Sequence, residues 1–155
     1  MKQVNTLMAF GFLGAMLVAV PTESSAATES TTVTVISNSS SGIADANLTA
    51  TLGDGTILGF RRSGSTVYLC GAISQKNELS IPDSIFYSST FYAVNYVGYN
   101  RCDFDNAQSV TSLILPPTMG YVNYLPSTVK VLHLNNYMSS VNSSSISNLT
   151  RILFP

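Results

Sequence analysis

Three segments in the second half of the chain repeat one pattern, and a repeat at this interval restricts the fold more than any local signal does. Val110-Thr-Ser-Leu113-Ile-Leu115-Pro116, Val129-Lys-Val-Leu132-His-Leu134-Asn135 and Leu149-Thr-Arg-Ile152-Leu-Phe154-Pro155 share the form Φ-x-x-Φ-x-Φ-[Pro/Asn], with Φ a large apolar residue. Leu113 and Leu132 lie 19 residues apart, Leu132 and Ile152 lie 20 apart. Glu78-Leu79-Ser-Ile81-Pro82 matches the tail of a fourth copy. The likeness continues beyond each core. Leu115 is followed at +4 and +7 by Met119 and Val122, and Leu134 at the same offsets by Met138 and Val141. Ile81 has Ile85 at +4, after which an insertion delays the match to Val94 or Val97 and accounts for the 34-residue gap from Leu79 to Leu113.

The alternating x-Φ-x-Φ core suits a short strand with two side chains facing inward. Pro or Asn then ends the strand and turns the chain. About twenty residues make one coil of a leucine-rich solenoid, in which each coil buries its apolar face only against its neighbours. Helices are a poor rival, because connections such as VNSSSISN lack helix formers. Leu113, Leu115, Leu132 and Leu134 are therefore expected in the core, with Ile114 and His133 on the outer face.

The run Leu79-Ser-Ile-Pro-Asp-Ser-Ile85, then Phe91-Tyr-Ala-Val94-Asn-Tyr-Val97-Gly98, then Ser109-Val-Thr-Ser-Leu-Ile-Leu-Pro116 resembles the BspA-like leucine-rich repeats. Their pattern is close to L-x-I-P-x-S-V-x-x-I-G, an A-F-x-x-C element and S-L-x-x-I-x-I-P. Phe86 to Ala93 resembles the short hairpin often found in the family's first repeat. The A-F-x-x-C element survives here only as Tyr99-Asn-Arg-Cys102, and the repeats are shorter than the family's usual length. Residues 48 to 73 read as strands, with Asp54-Gly55 and Ser63-Gly64 as turn pairs. The resemblance implies that this hairpin precedes the first repeat and covers the open end of the stack. The expected fold is thus mainly β: a short leucine-rich-repeat solenoid of about three to four turns, preceded by a β-hairpin cap.

Leu7 to Val20 is free of charge, follows Lys2, and is closed by Pro21 and the small residues of TESSAA. This is the form of a secretory signal peptide cut after Ala26 or Ala27. Fourteen apolar residues fall short of the ~20 that span a bilayer, and no Cys follows them for lipid attachment. The division expected is a signal peptide at 1–26, a Ser/Thr-rich flexible leader at 27–46, the hairpin cap at 47–77 and the repeats at 78–155, with no membrane span in the mature chain. Cleavage removes one charge of each sign, Lys2 and Glu23. Cys70 and Cys102 lie in the exported part, where oxidising conditions permit a disulfide. A bridge and a pair of buried apolar thiols both remain open at this stage.

Charged residues make up 10% of the chain, and the net charge is −1. Such a chain lacks the clustered cations of a nucleic-acid binder. With one His and no Trp, it also offers few groups for catalysis, and the expectation is a protein without enzymatic activity, cofactor or metal. His133 has no second His and no acid at a fixed spacing, so an ordinary surface histidine is the plainer reading. Asp103 and Asp105 are spaced as in calcium loops but lack the further oxygen ligands, which favours a polar turn. Asn38, Asn47, Asn142 and Asn148 begin N-x-S/T sequons, as a Ser- and Asn-rich composition produces by itself.

The candidate binding surface is the outward column Ser80, Ile114, His133 and Leu153 with Ser112, Val131 and Arg151. Tyr121, Tyr124 and Tyr137 join it, because Tyr among Ser, Gly and Asn resembles protein-binding surfaces; packing on the flanks of the coils is their alternative. These features predict a secreted or cell-surface recognition module for a protein or glycan, since the resembling family is associated with adhesion. The alternative is a structural or assembly module of the cell envelope. Ile152 and Phe154 stand in a strand with no turn after it, which predicts either a longer parent protein or self-association through that edge.

Overall fold

The computed structural model describes residues 31–37, 42–98, 102, 104, 109–142 and 146–155. Residues 1–26, expected to be a signal peptide, and Asn38, Tyr99, Arg101, Asp103 and Asp105 lie outside the described residues. The strands are β1 (Thr32–Thr34), β2 (Ile36–Ser37), β3 (Leu48–Thr51), β4 (Ile57–Ser63), β5 (Thr66–Ile73), β6 (Glu78–Ser80), β7 (Ser84–Tyr87), β8 (Thr90–Val97), β9 (Ser112–Ile114), β10 (Tyr121–Val122), β11 (Val131–His133), β12 (Ser140–Val141) and β13 (Arg151–Leu153). The chain is mainly β, as its alternation and β-branched content require. Among the described residues no helix is long and apolar enough to cross a membrane.

The repeats pair in parallel and in the phase that their sequence alignment prescribes. β6, β9, β11 and β13 form one four-stranded sheet, with Leu79, Leu113, Leu132 and Ile152 side by side. The +7 positions Val122 and Val141 continue a second parallel ladder, Leu69–Val97–Val122–Val141, along β5, β8, β10 and β12. Val97, rather than Val94, is therefore the counterpart of Val122. Between the ladders lie the apolar turns, with Ile81, Leu115, Ile85 and Met119 all buried.

Burial declines along the stack. Leu79, Leu113 and Leu132 are at most 3% exposed, whereas Ile152 is 41% exposed. Leu115 is buried, but Leu134 is only half-buried, a correction to its expected place in the core. It packs partly against the cluster, because the coil beyond it supplies fewer neighbours.

Asn135 shows why Asn substitutes for Pro after the core. Its amide donates to the Met119 carbonyl at 2.9 Å and to the Pro116 carbonyl, both one coil earlier, while its Oδ1 accepts the Tyr137 N–H at 2.7 Å. One side chain thus closes its own turn and ties it to the preceding one.

Within the expected 27–46 leader, residues 32–37 carry two short strands. β1 pairs in parallel with β7, and β2 pairs antiparallel with β3. Val35 and Ile43 are buried, and Ser37 Oγ lies 2.8 Å from the Tyr87 hydroxyl. The alternating Thr-Val-Thr-Val-Ile run completes two sheet edges, and that pairing outweighs the flexible composition of its flanks. Ile43 seats directly on Gly59, where a Cβ would come within 2.6 Å of Ile43 Cγ2 and 3.0 Å of its Cβ. Gly59→Ala should therefore destabilise the chain by roughly 1–3 kcal/mol, read as a lower urea midpoint. Ile43→Ala in the same background should recover part of that loss.

The hairpins fall where the turn pairs predict. β3, β4 and β5 are antiparallel neighbours, and Gly55 and Gly64 take φ of 85° and 62°. β7 and β8 form the inserted hairpin, turning through Ser88 and Ser89 at positive φ. β8 has three partners. Thr90–Ala93 pairs antiparallel with β7, Val94–Val97 pairs in parallel with β5, and Tyr96 and Val97 also pair in parallel with β10. The 47–77 hairpin region is consequently continuous with the repeats through β5 and β8.

Asp54 at the β3–β4 turn accepts from Lys76 Nζ at 2.7 Å and from the Thr56 N–H at 2.9 Å. Lys76, first, and then Thr56 hold its carboxyl down from 3.8 to about 2. A depressed folded value gives stability that is present above the unfolded value and lost as pH falls through the folded one. The wild-type advantage over Asp54→Asn in urea should thus be seen at neutral pH and vanish as the pH approaches about 2.

Candidate binding surface

Three-residue strands at this spacing have one inward position and two outward ones. The inward column is Leu79, Leu113, Leu132 and Ile152. The outward columns are Glu78–Ser112–Val131–Arg151 and Ser80–Ile114–His133–Leu153, each adjacent across the sheet. Every strand residue named as a candidate is thereby brought onto one face. None of the seven is fully buried; Ser80 and Arg151 are exposed and the others half-buried.

The face also carries Glu78, which sequence reasoning passed over. Ser112 Oγ donates to Glu78 Oε2 at 3.2 Å and lies 3.2 Å from His133 Nε2. Glu78 Oε2 is 3.9 Å from the same nitrogen. A hydroxyl has one proton, so giving it to the carboxylate leaves Ser112 to accept from an Nε2–H. His133 thus does have an acid beside it, drawn from two strands away. The arrangement differs from a Ser–His–acid triad, where the acid holds Nδ1 and leaves Nε2 to the serine. Here both groups address Nε2. Glu78 was recoverable from the repeat itself, since it precedes Leu79 as Ser112 precedes Leu113.

What results is a polar centre of carboxylate, hydroxyl and imidazole, bordered by Ile114, Val131 and Leu153, with Arg151 beyond Val131 in the same column. Such a surface offers hydrogen bonds of both senses next to apolar contact area.

The tyrosines lie elsewhere. Tyr121 is on β10, in the second parallel ladder, and Tyr124 and Tyr137 stand in connections. They are 42%, 50% and 73% exposed. Tyr121 thus lies apart from the seven strand candidates, because β10 and β11 belong to different sheets.

Cys70 and Cys102 form a disulfide with Cα atoms 4.7 Å apart. They pack with Ile43 in a small cluster of their own, which settles the alternative left open by the sequence and places the pair in a structural role.

No family model and no curated protein matches the chain. Solved structures do resemble it. A crystal structure of a leucine-rich cell surface protein from Faecalibacterium prausnitzii matches with a TM-score of 0.47 and 16% identity, covering 67% of this chain and 30% of its own. That of a leucine-rich repeat protein from Bacteroides ovatus matches with a TM-score of 0.35 and 14% identity, covering 63% of this chain and 40% of its own. The chain spans less than half the length of either.

Proposed function

We propose that the chain is an exported or cell-surface recognition module, built as a short leucine-rich-repeat solenoid of about three to four turns with a hairpin cap. It binds a protein or glycan through the outer face of the β6–β9–β11–β13 sheet. The observation that carries this reading is the Glu78–Ser112–His133 centre, a hydrogen-bonded polar group set among half-buried apolar side chains in an otherwise sparsely charged chain. The charge-free Leu7–Val20 run, closed by Pro21 and small residues, supports export. The test is a glycan array and a surface-protein pull-down with the wild-type chain and with Ser112→Ala/His133→Ala. We expect at least one ligand to be retained by the wild type and lost, about tenfold or more, by the variant. Equal retention by both overturns the assignment of the face.

The envelope-assembly reading is favoured by a different observation. Among the described residues β13 pairs only with β11, and Ile152 and Phe154 beside that edge are 41% and 76% exposed. Self-association through it would appear in sedimentation as a concentration-dependent dimer that Ile152→Lys abolishes. A monomer at every concentration removes this reading.

A further inference from the structure

Strand β1 begins beside a carboxylate that nothing balances. The Asp83 and Ser84 N–H groups both donate to the Thr31 carbonyl, at 2.9 and 3.3 Å, and from there β1 runs in register with β7. The Asp83 backbone is fully used, since its carbonyl accepts from the Val94 N–H at 2.8 Å and from the Thr118 hydroxyl at 2.9 Å. Its side chain is not. Asp83 is 6% exposed, and among the described residues its Oδ1 is the one buried side-chain oxygen or nitrogen without a hydrogen-bond partner. The exposed carboxylates Asp45, Asp54 and Glu78 each have a basic nitrogen close by, at 3.8, 2.7 and 3.9 Å. Burial demands the reverse, because a charge withdrawn from water needs its counter-ion most.

No side-chain cation among the described residues serves Asp83. Arg61 and Lys76 face Asp45 and Asp54, Arg62 lies over the Tyr87 and Tyr92 rings, Lys130 donates to the Ser127 carbonyl, and Arg151 belongs to the other sheet. Those residues also contain no group of three His, Cys, Asp or Glu that could hold a metal ion there. We infer that the counter-ion of Asp83 is the α-ammonium group created by signal-peptide cleavage, so that processing of the precursor completes the fold. The inference rests on the export reading, which supplies the cut. Cleavage after Ala26 or Ala27 starts the chain at Ala27 or Thr28, four or three residues before Thr31. Thr31 is already bonded to Asp83, and a reverse turn brings residues three apart to within ~7 Å, so either start has the reach. In the precursor the same nitrogen is an uncharged peptide amide, and Asp83 stays unbalanced. The N-terminal strand, which pairs with both β7 and β3, is accordingly held more weakly before the cut than after it.

The test uses chains 27–155 and 28–155, each freed from a tag by a protease that leaves no extra residue, and the same chains with an acetylated N-terminus. For at least one start, the free-amine form should melt about 5 °C or more above the acetylated form. That gap should close to about 1 °C in Asp83→Asn and persist in Glu29→Gln, which removes the acid next to the terminus. At about pH 7, an acylating reagent should modify the wild-type terminus about fivefold or more slowly than that of the free peptide ATEST, a comparison that needs no variant to fold. The inference is overturned if neither start shows the gap, if Asp83→Asn keeps it, or if the terminus reacts as fast as the peptide. N-terminal sequencing of exported material tests the export reading separately. A retained Met1 overturns that reading and the switch with it, whereas coupling absent from the pre-cut chains overturns the inference alone.

Discussion

Leu132→Ala is expected to lower the free energy of unfolding by about 2–5 kcal/mol, among the largest losses any single truncation in this chain will give. Leu132 is fully buried, and its in-register neighbours Leu113 and Ile152 stand on either side of it. Neither can move into the space without breaking its own strand pairing, so a cavity persists in addition to the lost transfer free energy. The neighbouring residue provides the control. His133 points to the other side of the same strand, and His133→Ala should cost less than about 0.5 kcal/mol. Ile152→Ala, at an equivalent rung but 41% exposed, should cost under about 1.5 kcal/mol. Urea midpoints for the three variants decide the matter, and equal losses for Leu132→Ala and His133→Ala would contradict the register.

Replacing both cysteines by alanine should cost about 3–4 kcal/mol, through the loop-closure entropy restored to the unfolded chain. The bridge spans 32 residues, which include β6, β7 and β8 and thus the first repeat with its inserted hairpin. Both sulfurs are buried against Ile43, and alanine keeps the apolar character of the site. A thermal melt of the double variant, compared with the oxidised wild type, gives the difference directly. Midpoints that coincide would show that the bridge constrains nothing the rest of the fold does not.

The repeat made much of this legible. The offsets around Leu113, Leu115, Met119 and Val122 place two parallel ladders in register, because identical coils stacked in parallel put equivalent residues side by side. The outward column followed from the same phase. Glu78 escaped because its copy is only a fragment, in which the residue before the first inward Leu has no longer motif to mark it. The Thr-Val-Thr-Val-Ile stretch allowed a short strand, but its Ser- and Asn-rich flanks favoured a flexible leader. A three-residue strand on a sheet edge takes its stability from partners distant in sequence, such as Ser84–Phe86, and no window of local composition contains them. Pairing of Cys70 with Cys102 likewise depends on a Cα separation set by the completed sheet. The separation of Tyr121 from the strand candidates required knowing that the chain switches sheets between β9 and β10.

β8 joins an antiparallel hairpin at one end to a parallel stack at the other, and this bears on how the molecule comes apart. Losing the β3–β4–β5 layer would strip the second half of β8 of its β5 partner and uncover Val94 and Val97, both fully buried. Losing the coils would strip the same half-strand of β10 and leave Leu69 and Val67 with little to pack on. Neither part therefore has a low-energy state in the absence of the other, and the hairpins and the repeats melt as one cooperative unit.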